Sequence, residues 1–463
     1  MKNSNLKAKN LNITYIGGGS RQWAWTFMTD LALEPELGGT IRLYDIDTAA
    51  AKNNEIIGNR ISALPETKGK WLYQTITSLE EAVTGADIII ISILPGTFKD
   101  MHSDVHLPER LGIYQSVGDT AGPGGIIRSL RTIPPFVTFA EVIRACAPQA
   151  WVINYTNPMS ICMRTLYHVF PEIKAFGCCH EVFGMQSLLA MVVNRNPGVG
   201  DVGRRDIKVN VLGLNHFTWF DSAFYQDLDL FDMYRRFVDE FYETGFETDA
   251  SNLPDRCFSS NNRVKFDLFR RYGWIAAAGD RHLAEFMPGT EYLKNPEVIE
   301  SWGFYLTSVD WRIKDLEKRR ARSERLVTGA EDIILSPSGE EGILLIKALC
   351  GLGDVVSNVN LPNTAKQIAN LPLETVVETN AVFSYDSVIP ANAGKLSDEI
   401  LALTEPHVKN QTDILEAGLN NGREAVHRAF GRDPLVCNYP EYDRRKLAED
   451  MIRMADKDIS QEP

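Results

Sequence analysis

The feature that most narrows the fold is a run of three glycines at the end of an apolar segment. Residues 12–16 (Asn-Ile-Thr-Tyr-Ile) are largely β-branched and aromatic, as a buried strand requires, and they run directly into Gly17, Gly18, Gly19 and Ser20. Residues 23–33 behind them carry a helical apolar pattern. Strand, glycine turn and helix form the opening unit of a dinucleotide-binding sheet. Small residues there let a pyrophosphate approach the backbone and rest on the helix N-terminus. The pattern departs from G-x-G-x-x-G, because Gln22 stands where the third glycine belongs. A second strand, 41–44, ends in Tyr44-Asp45, with Asp45 twenty-six residues beyond Gly19. A carboxylate at that point accepts a hydrogen bond from a ribose 2′-hydroxyl and repels a 2′-phosphate, so NAD is expected rather than NADP. Glycine turns also occur in α/β domains that bind no dinucleotide. The ordered succession from strand to Asp45 is what favours the cofactor.

Further strands are expected at 87–93, 151–154, 173–177 and 207–212, separated by helical patterns. The near-continuous apolar run at 87–93 is typical of a strand buried on both faces. The expectation is a Rossmann-like, doubly wound, mainly parallel sheet over residues 1–220. Residues 225–244, 296–325 and 393–429 read as helical, so 221–463 is expected to be a mainly helical α+β region for substrate and dimer contacts. With 61 acidic against 48 basic residues the chain carries a net charge of −13, which disfavours nucleic acid as a partner. The start, MKNSNLKAKN, has no apolar run behind it, and no segment is long enough to span a membrane. A cytoplasmic protein with reduced thiols, assembled as a homodimer or homotetramer, is the expectation. Its seven cysteines are an odd number, and the adjacent pair Cys178-Cys179 is poorly placed for a disulfide.

Ligands of open α/β sheets bind beyond the carboxyl ends of strands. Three later strands end in polar clusters: Asn154 and Asn157, then Cys179, His180 and Glu181, then Asn215 and His216. Cys179 and His216 together have the donor types to hold a divalent metal with positions left for substrate oxygens. Taken singly, each is as readily a packed core residue, and their spacing is not a recognised zinc signature. A second glycine-rich loop, 115–125, contains Asp119 and precedes Arg128 and Arg131. The cluster 279–285 (Gly-Asp-Arg-His-Leu-Ala-Glu) is either a solvated helix face or part of a site.

These segments in order resemble the family 4 glycoside hydrolases. The likeness rests on Gly17-Gly-Gly-Ser20, Gly122-Pro-Gly-Gly125 with Leu130-Arg-Thr-Ile-Pro134, Asn154-Tyr-Thr-Asn-Pro158, Cys179-His-Glu-Val182 and Asn215-His216. The segments 103–112 and 279–286 look like the α-galacturonidase branch, with α-glucuronidases as near neighbours and neutral α-galactosidases or α-glucosidases as more distant alternatives. The resemblance implies an unusual route, in which NAD⁺ takes a hydride from C3 of the sugar. The C2 proton, now acidic, is removed while a metal such as Mn²⁺ stabilises the enediolate. The C1–O bond breaks by elimination, water adds, and the hydride returns. It implies Gly17, Gly18, Gly19, Ser20, Asp45 and Asn154 at the cofactor, Cys179 and His216 at the metal, and Asn157 on the substrate. His180 falls where relatives carry an acid for the departing oxygen. The base is assigned first to Asp280 and second to Tyr272, with Asp119 nearby. Arg281, Arg128 and Arg131 are candidates to hold the carboxylate of an α-linked uronide from pectin. Two rivals remain. A 2-hydroxy acid dehydrogenase would release NADH stoichiometrically and need no metal, and a nucleotide sensor would bind NAD without turnover.

Overall fold

A computed structural model describes residues 7–196, 200–248 and 258–459; the first six residues of the N-terminal segment, and Cys257, lie outside them. In chain order the strands are β1 (Leu11–Ile16), β2 (Gly38–Tyr44), β3 (Lys70–Thr75), β4 (Ile88–Ile91), β5 (Trp151–Asn154), β6 (Lys174–Gly177), β7 (Ile207–Leu214), β8 (Phe217–Tyr225), β9 (Leu228–Asp229), β10 (Ile275–Ala276), β11 (Val355–Pro362), β12 (Val376–Ser384) and β13 (Ser387–Pro390). Six of them form a parallel block in the order β3-β2-β1-β4-β5-β6. This is the doubly wound dinucleotide-binding order, with its switch point between β1 and β4. All four β4 residues are buried, which explains the unbroken isoleucines. β3 escapes the sequence pattern because Lys70, Leu72 and Gln74 face solvent and only alternate residues are buried.

Beyond β6 the same sheet continues as β11-β12-β7-β8-β10, antiparallel throughout. Strand 207–212 is therefore not a further parallel strand fed by a crossover helix. β7 instead forms a tight hairpin with β8. The half beyond residue 221 is rich in helices, among them Val309–Thr328 and Asp398–Asn420, yet it also supplies two central strands, β11 and β12, to the sheet.

A row of paired residues crosses the junction: Gly177 on β6 faces Asn360 on β11, Asn360 faces Glu378 on β12, and Glu378 faces Gly213 on β7. Although β7 runs against β6, this register brings its last residues level with the end of β6. Two groups of apolar side chains cover the faces of the parallel block, one including Ile13, Ile41 and Ile88 and the other Ile89, Val152 and Phe136. The expected 115–125 loop is shorter than its composition suggests. Gly122 opens the helix Gly122–Cys146, with a proline in its first turn, where the missing N–H costs nothing. Among the described residues, no helix is long and apolar enough to cross a membrane.

Candidate active site

At the switch point the glycine turn is a close-packed object. Gly17 has φ +94°, and a Cβ there would lie 2.0 Å from the Ser92 carbonyl oxygen at the end of β4. The N–H groups of Gly17 and Gly18 both donate to the Tyr44 carbonyl at 2.9 Å, and Gly19 N–H donates to Asp45 Oδ2 at 2.8 Å. Asp45 Oδ1 accepts from Asp47 N–H at 2.9 Å. Asp45 thus pins the turn while its remaining lone pairs stay open to a hydroxyl. Asn54, fully buried on the helix Thr48–Ser62, donates to the Gly18 and Ser20 carbonyls at 2.7 and 2.9 Å. Nothing in a run of Ala, Lys and Asn marks this latch in the sequence. The first turn of the helix Trp23–Leu33 has no side-chain cap, so its N–H groups face outward without one. This geometry fits a pyrophosphate at the turn.

On the other side of the crevice, Asp119, His216 and His282 bring one ligand atom each to within 4.8 Å of one another. His216 sits in the two-residue β7–β8 hairpin at φ 65°, a left-handed conformation that costs a non-glycine residue about 1–2 kcal/mol. Its ring stacks on His282 with centroids 3.8 Å apart. Thr120 Oγ1 lies 3.0 Å from His216 Nδ1 and donates to Asp119 Oδ1 at 2.7 Å. The hydroxyl proton is thereby committed to Asp119, so Nδ1–H of His216 is the donor to Thr120 and the Nε2 lone pair is left for a metal or substrate. Burial pushes His216 down to about 3 and also lowers His282, so both rings are neutral at pH 7. Burial raises the Asp119 carboxyl, but His282, Arg128 and His216 outweigh it and hold it well below the usual carboxylate range.

His282 is the member the sequence reading passed over. It belongs to the 279–285 cluster, two residues beyond Asp280, on the helix Asp280–Phe286. Asp280 itself turns the other way: its Oδ1 accepts from Lys265 N–H at 3.1 Å, in the first turn of the helix Arg263–Tyr272. Tyr272, at the far end of that helix, accepts from Arg271 at 2.9 Å and packs edge-on against Trp219. Neither is among the three converging donors: one oxygen of Asp280 is taken by a helix start and the other is buried without a hydrogen-bond partner among the described residues, while Tyr272 is held by Arg271.

Cys179 is not among the three converging donors but borders them. Its thiol hydrogen-bonds with the Asn215 side chain, and its carbonyl accepts from Asn358 Nδ2 at 3.3 Å. Burial, then the Glu378 and Glu181 carboxylates, push that thiol well above its ordinary value. A divalent cation reverses this by stabilising the thiolate. Glu378, buried on β12 and raised by burial to about 7, accepts from Asn215 at 3.1 Å and Asn358 at 2.7 Å. Only the antiparallel register brings it here. The Oδ1 atoms of Asn157 and Asn215 and Nδ1 of His282 are buried without a hydrogen-bond partner among the described residues. Unpaired acceptors of this kind suit a metal ion or sugar hydroxyls.

The remaining predicted residues are spread around this cluster. His180 caps the helix Glu181–Asn194 at the mouth, half exposed, with Glu340 at 3.7 Å and Glu181 at 4.0 Å. Glu181 Oε2 accepts from Gly279 N–H at 2.7 Å; burial opposes its ionisation, but His282 and His180 lower it to about 2. Arg128 Nε donates to the Asn157 carbonyl at 3.3 Å and is the arginine that faces Asp119. Arg131 is spent on a buried ion pair with Asp104. Arg281 Nη2 donates to Thr307 Oγ1 and, at 3.3 Å, to the Ser116 carbonyl. Asn154 is also committed within the chain: its amide donates to the Thr156 carbonyl at 3.0 Å and accepts from Thr156 N–H at 3.1 Å, shaping the turn instead of reaching outward.

The sequence and the fold both have known relatives. The pattern of the family 4 glycosyl hydrolases matches residues 12–195, and that of the family 4 glycosyl hydrolase C-terminal domain matches 211–436. An α-galacturonidase of Lachnoclostridium phytofermentans is 58% identical over 98% of this chain and 97% of its own. The crystal structure of lplD from Bacillus subtilis superimposes with a TM-score of 0.90 at 49% identity, over 96% of this chain and all of that one. A gut-microbial 6-phospho-α-glucosidase solved with NAD and Mn²⁺ shares the fold at a TM-score of 0.81 and 19% identity, over 97% of this chain and 99% of that one. The chain belongs to the family 4 glycosyl hydrolases.

Proposed function

We propose that the protein is an NAD- and divalent-metal-dependent α-galacturonidase, acting on α-linked galacturonides in the cytoplasm as a homo-oligomer. The observation that carries this reading is the meeting of two unlike devices at one crevice: a dinucleotide turn at β1 and the Asp119–His216–His282 donor group with Cys179 beside it. A dehydrogenase needs only the first and a simple hydrolase needs neither. When bound, NAD⁺ supplies a hydride acceptor and a divalent ion such as Mn²⁺ supplies a Lewis acid. The chain's own residues do the rest. Asp45 selects the unphosphorylated ribose. Asn157 and Asn215 offer acceptors to sugar hydroxyls or the ion. Asp119, ionised and bonded by Thr120, would complete the set of ion ligands with His216 and His282. His180, at the open mouth, is the group that protonates the departing oxygen. Arg128 offers the positive charge nearest the donor cluster for the uronate carboxylate, with Arg281 next. The name of the 58% identical relative supports the sugar assignment.

The test is turnover of p-nitrophenyl α-galacturonide with Mn²⁺, catalytic NAD⁺ and a reductant, alongside the glucuronide and neutral galactoside. A charge-assisted pair to the carboxylate is worth about 1.5–3 kcal/mol, so the neutral galactoside should be at least about tenfold slower in kcat/KM. NADH accumulating in step with substrate loss would make the protein a dehydrogenase instead.

A further inference from the structure

The three converging donors come from three separate parts of the chain: Asp119 from the segment ahead of the helix Gly122–Cys146, His216 from the β7–β8 hairpin, and His282 from the helix Asp280–Phe286. Asp119 has the least to hold it. It follows Gly118, which has φ 69°, in a stretch that is neither helix nor strand. Its bond with Thr120 is to the next residue, which moves with it. A ligand on such a segment is placed only as well as the segment is tied down.

The nearest tie is Glu285. Its side chain is fully buried, and its Oε1 accepts from Val117 N–H at 2.7 Å and from Gly118 N–H at 2.8 Å. Glu285 stands three residues beyond His282 on the same helix, and residues so spaced share a face. One helix therefore carries one donor and the clasp for the segment that carries another. Two further bonds run along this seam. Ser116 Oγ donates to the Arg281 carbonyl, and Arg281 Nη2 donates to the Ser116 carbonyl at 3.3 Å. On the far side Gly122 N–H donates to Asp433 Oδ2 at 3.1 Å. Only Asp119, Thr120 and Ala121 lie between the two carboxylate ties. A buried main-chain N–H without an acceptor is costly, so the segment cannot drift from Glu285 without leaving two donors unpaired.

We propose that Glu285 is a positioning residue for the metal, whose reach from the helix sets the distance between Asp119 and His282. This rests on the reading of Asp119, His216 and His282 as the ion's ligands. Glu285 acts through the main chain at 117–118. What it contributes is length, and its charge is not required.

The experiment uses the full chain with NAD⁺ and follows Mn²⁺ binding by electron paramagnetic resonance. Glu285→Asp keeps the carboxylate and shortens its reach by one carbon–carbon bond, about 1.5 Å. Glu285→Gln keeps the reach and an oxygen that accepts both N–H groups, and loses the charge. The Asp variant should bind Mn²⁺ about 10–100-fold more weakly, as expected when a group that orients a ligand is disturbed, with the Kd for NAD⁺ within about twofold. The Gln variant should stay within about threefold of the wild type for both. Ser116→Ala, which removes one bond of the same seam, should weaken Mn²⁺ by about three- to tenfold. Wild-type Mn²⁺ affinity in Glu285→Asp would overturn the proposal; should that variant not fold, wild-type affinity in Ser116→Ala would do the same. A Gln variant as weak as the Asp variant would also overturn it, because charge and not reach would then be at work. So would NAD⁺ affinity falling in step with Mn²⁺, the mark of general loosening. A wild-type chain that binds no Mn²⁺ removes the ligand reading and the positioning role together, whereas Mn²⁺ binding that ignores these substitutions removes the positioning role alone.

Discussion

On the glycine side of the crevice the amides of Gly17, Gly18 and Gly19 all find acceptors a few residues away in space, at Tyr44 and Asp45. On the strand-end side, Asn157 Oδ1, Asn215 Oδ1, His282 Nδ1 and Glu285 Oε2 are buried with no hydrogen-bond partner among the described residues. The first region is finished without a ligand, and its contribution is shape. The second carries buried polar groups whose pairing a ligand would complete, at a cost in stability. Glycine substitutions on the first side should therefore act through packing and fold. Substitutions on the second should act through chemistry and leave the fold intact or improve it.

The largest effect is expected at the donor cluster. His216→Ala, or chelation of the wild type, should lower kcat about 10³-fold, since a Lewis acid and its placement are worth several kcal/mol. Mn²⁺ binding followed by electron paramagnetic resonance should weaken in the variant far more than its melting temperature, which should fall only modestly: alanine keeps the left-handed φ of 65° and gives up the buried ring's stack on His282. Full activity in that variant would erase the contrast. Gly17→Ala should do the reverse, destabilising the chain by about 2–4 kcal/mol through a 2.0 Å clash and positive φ, with NAD⁺ affinity lost alongside; denaturant titration reads it.

Next comes pH. Burial raises Glu285 to about 8 and Asp433 to about 7, from 4.5 and 3.8. Both are protonated in the folded and unfolded chain at low pH, where their stabilisation is complete. As pH climbs past 4.5 the unfolded chain ionises first, so stability should fall by about 2 kcal/mol or more toward pH 8 and then level off. Glu285 accepts from Val117 and Gly118 N–H at 2.7 and 2.8 Å, anchoring the segment that presents Asp119. Glu285→Gln keeps an acceptor and should flatten the slope; an unchanged slope would assign it to other groups. The smallest effect belongs to Asp45→Ala. Loss of one ribose hydrogen bond should weaken NAD⁺ about tenfold and narrow its preference over NADP⁺, as titration of the nicotinamide signal would show.

The sequence by itself determined the parts whose physics is local. The β1 strand, the glycines, the helix behind them and Asp45 lie within 35 residues and read as one unit because their contacts are with each other. The polar tails of β5 and β6 were legible for the same reason, and so was the 279–285 cluster, although not which of its members faces the site. What only the tertiary structure decided is the choice within such clusters and the meeting of distant strands. Helix phase sends Asp280 to cap a neighbouring helix and leaves His282, two residues on, stacked against His216. The antiparallel register that sets Gly177, Asn360, Glu378 and Gly213 in one row carries Glu378 to the back of Cys179 across 199 residues of chain. Periodicity marks the strands involved. Their partners and offsets are settled by long-range packing and hydrogen bonding, which no local window of sequence contains.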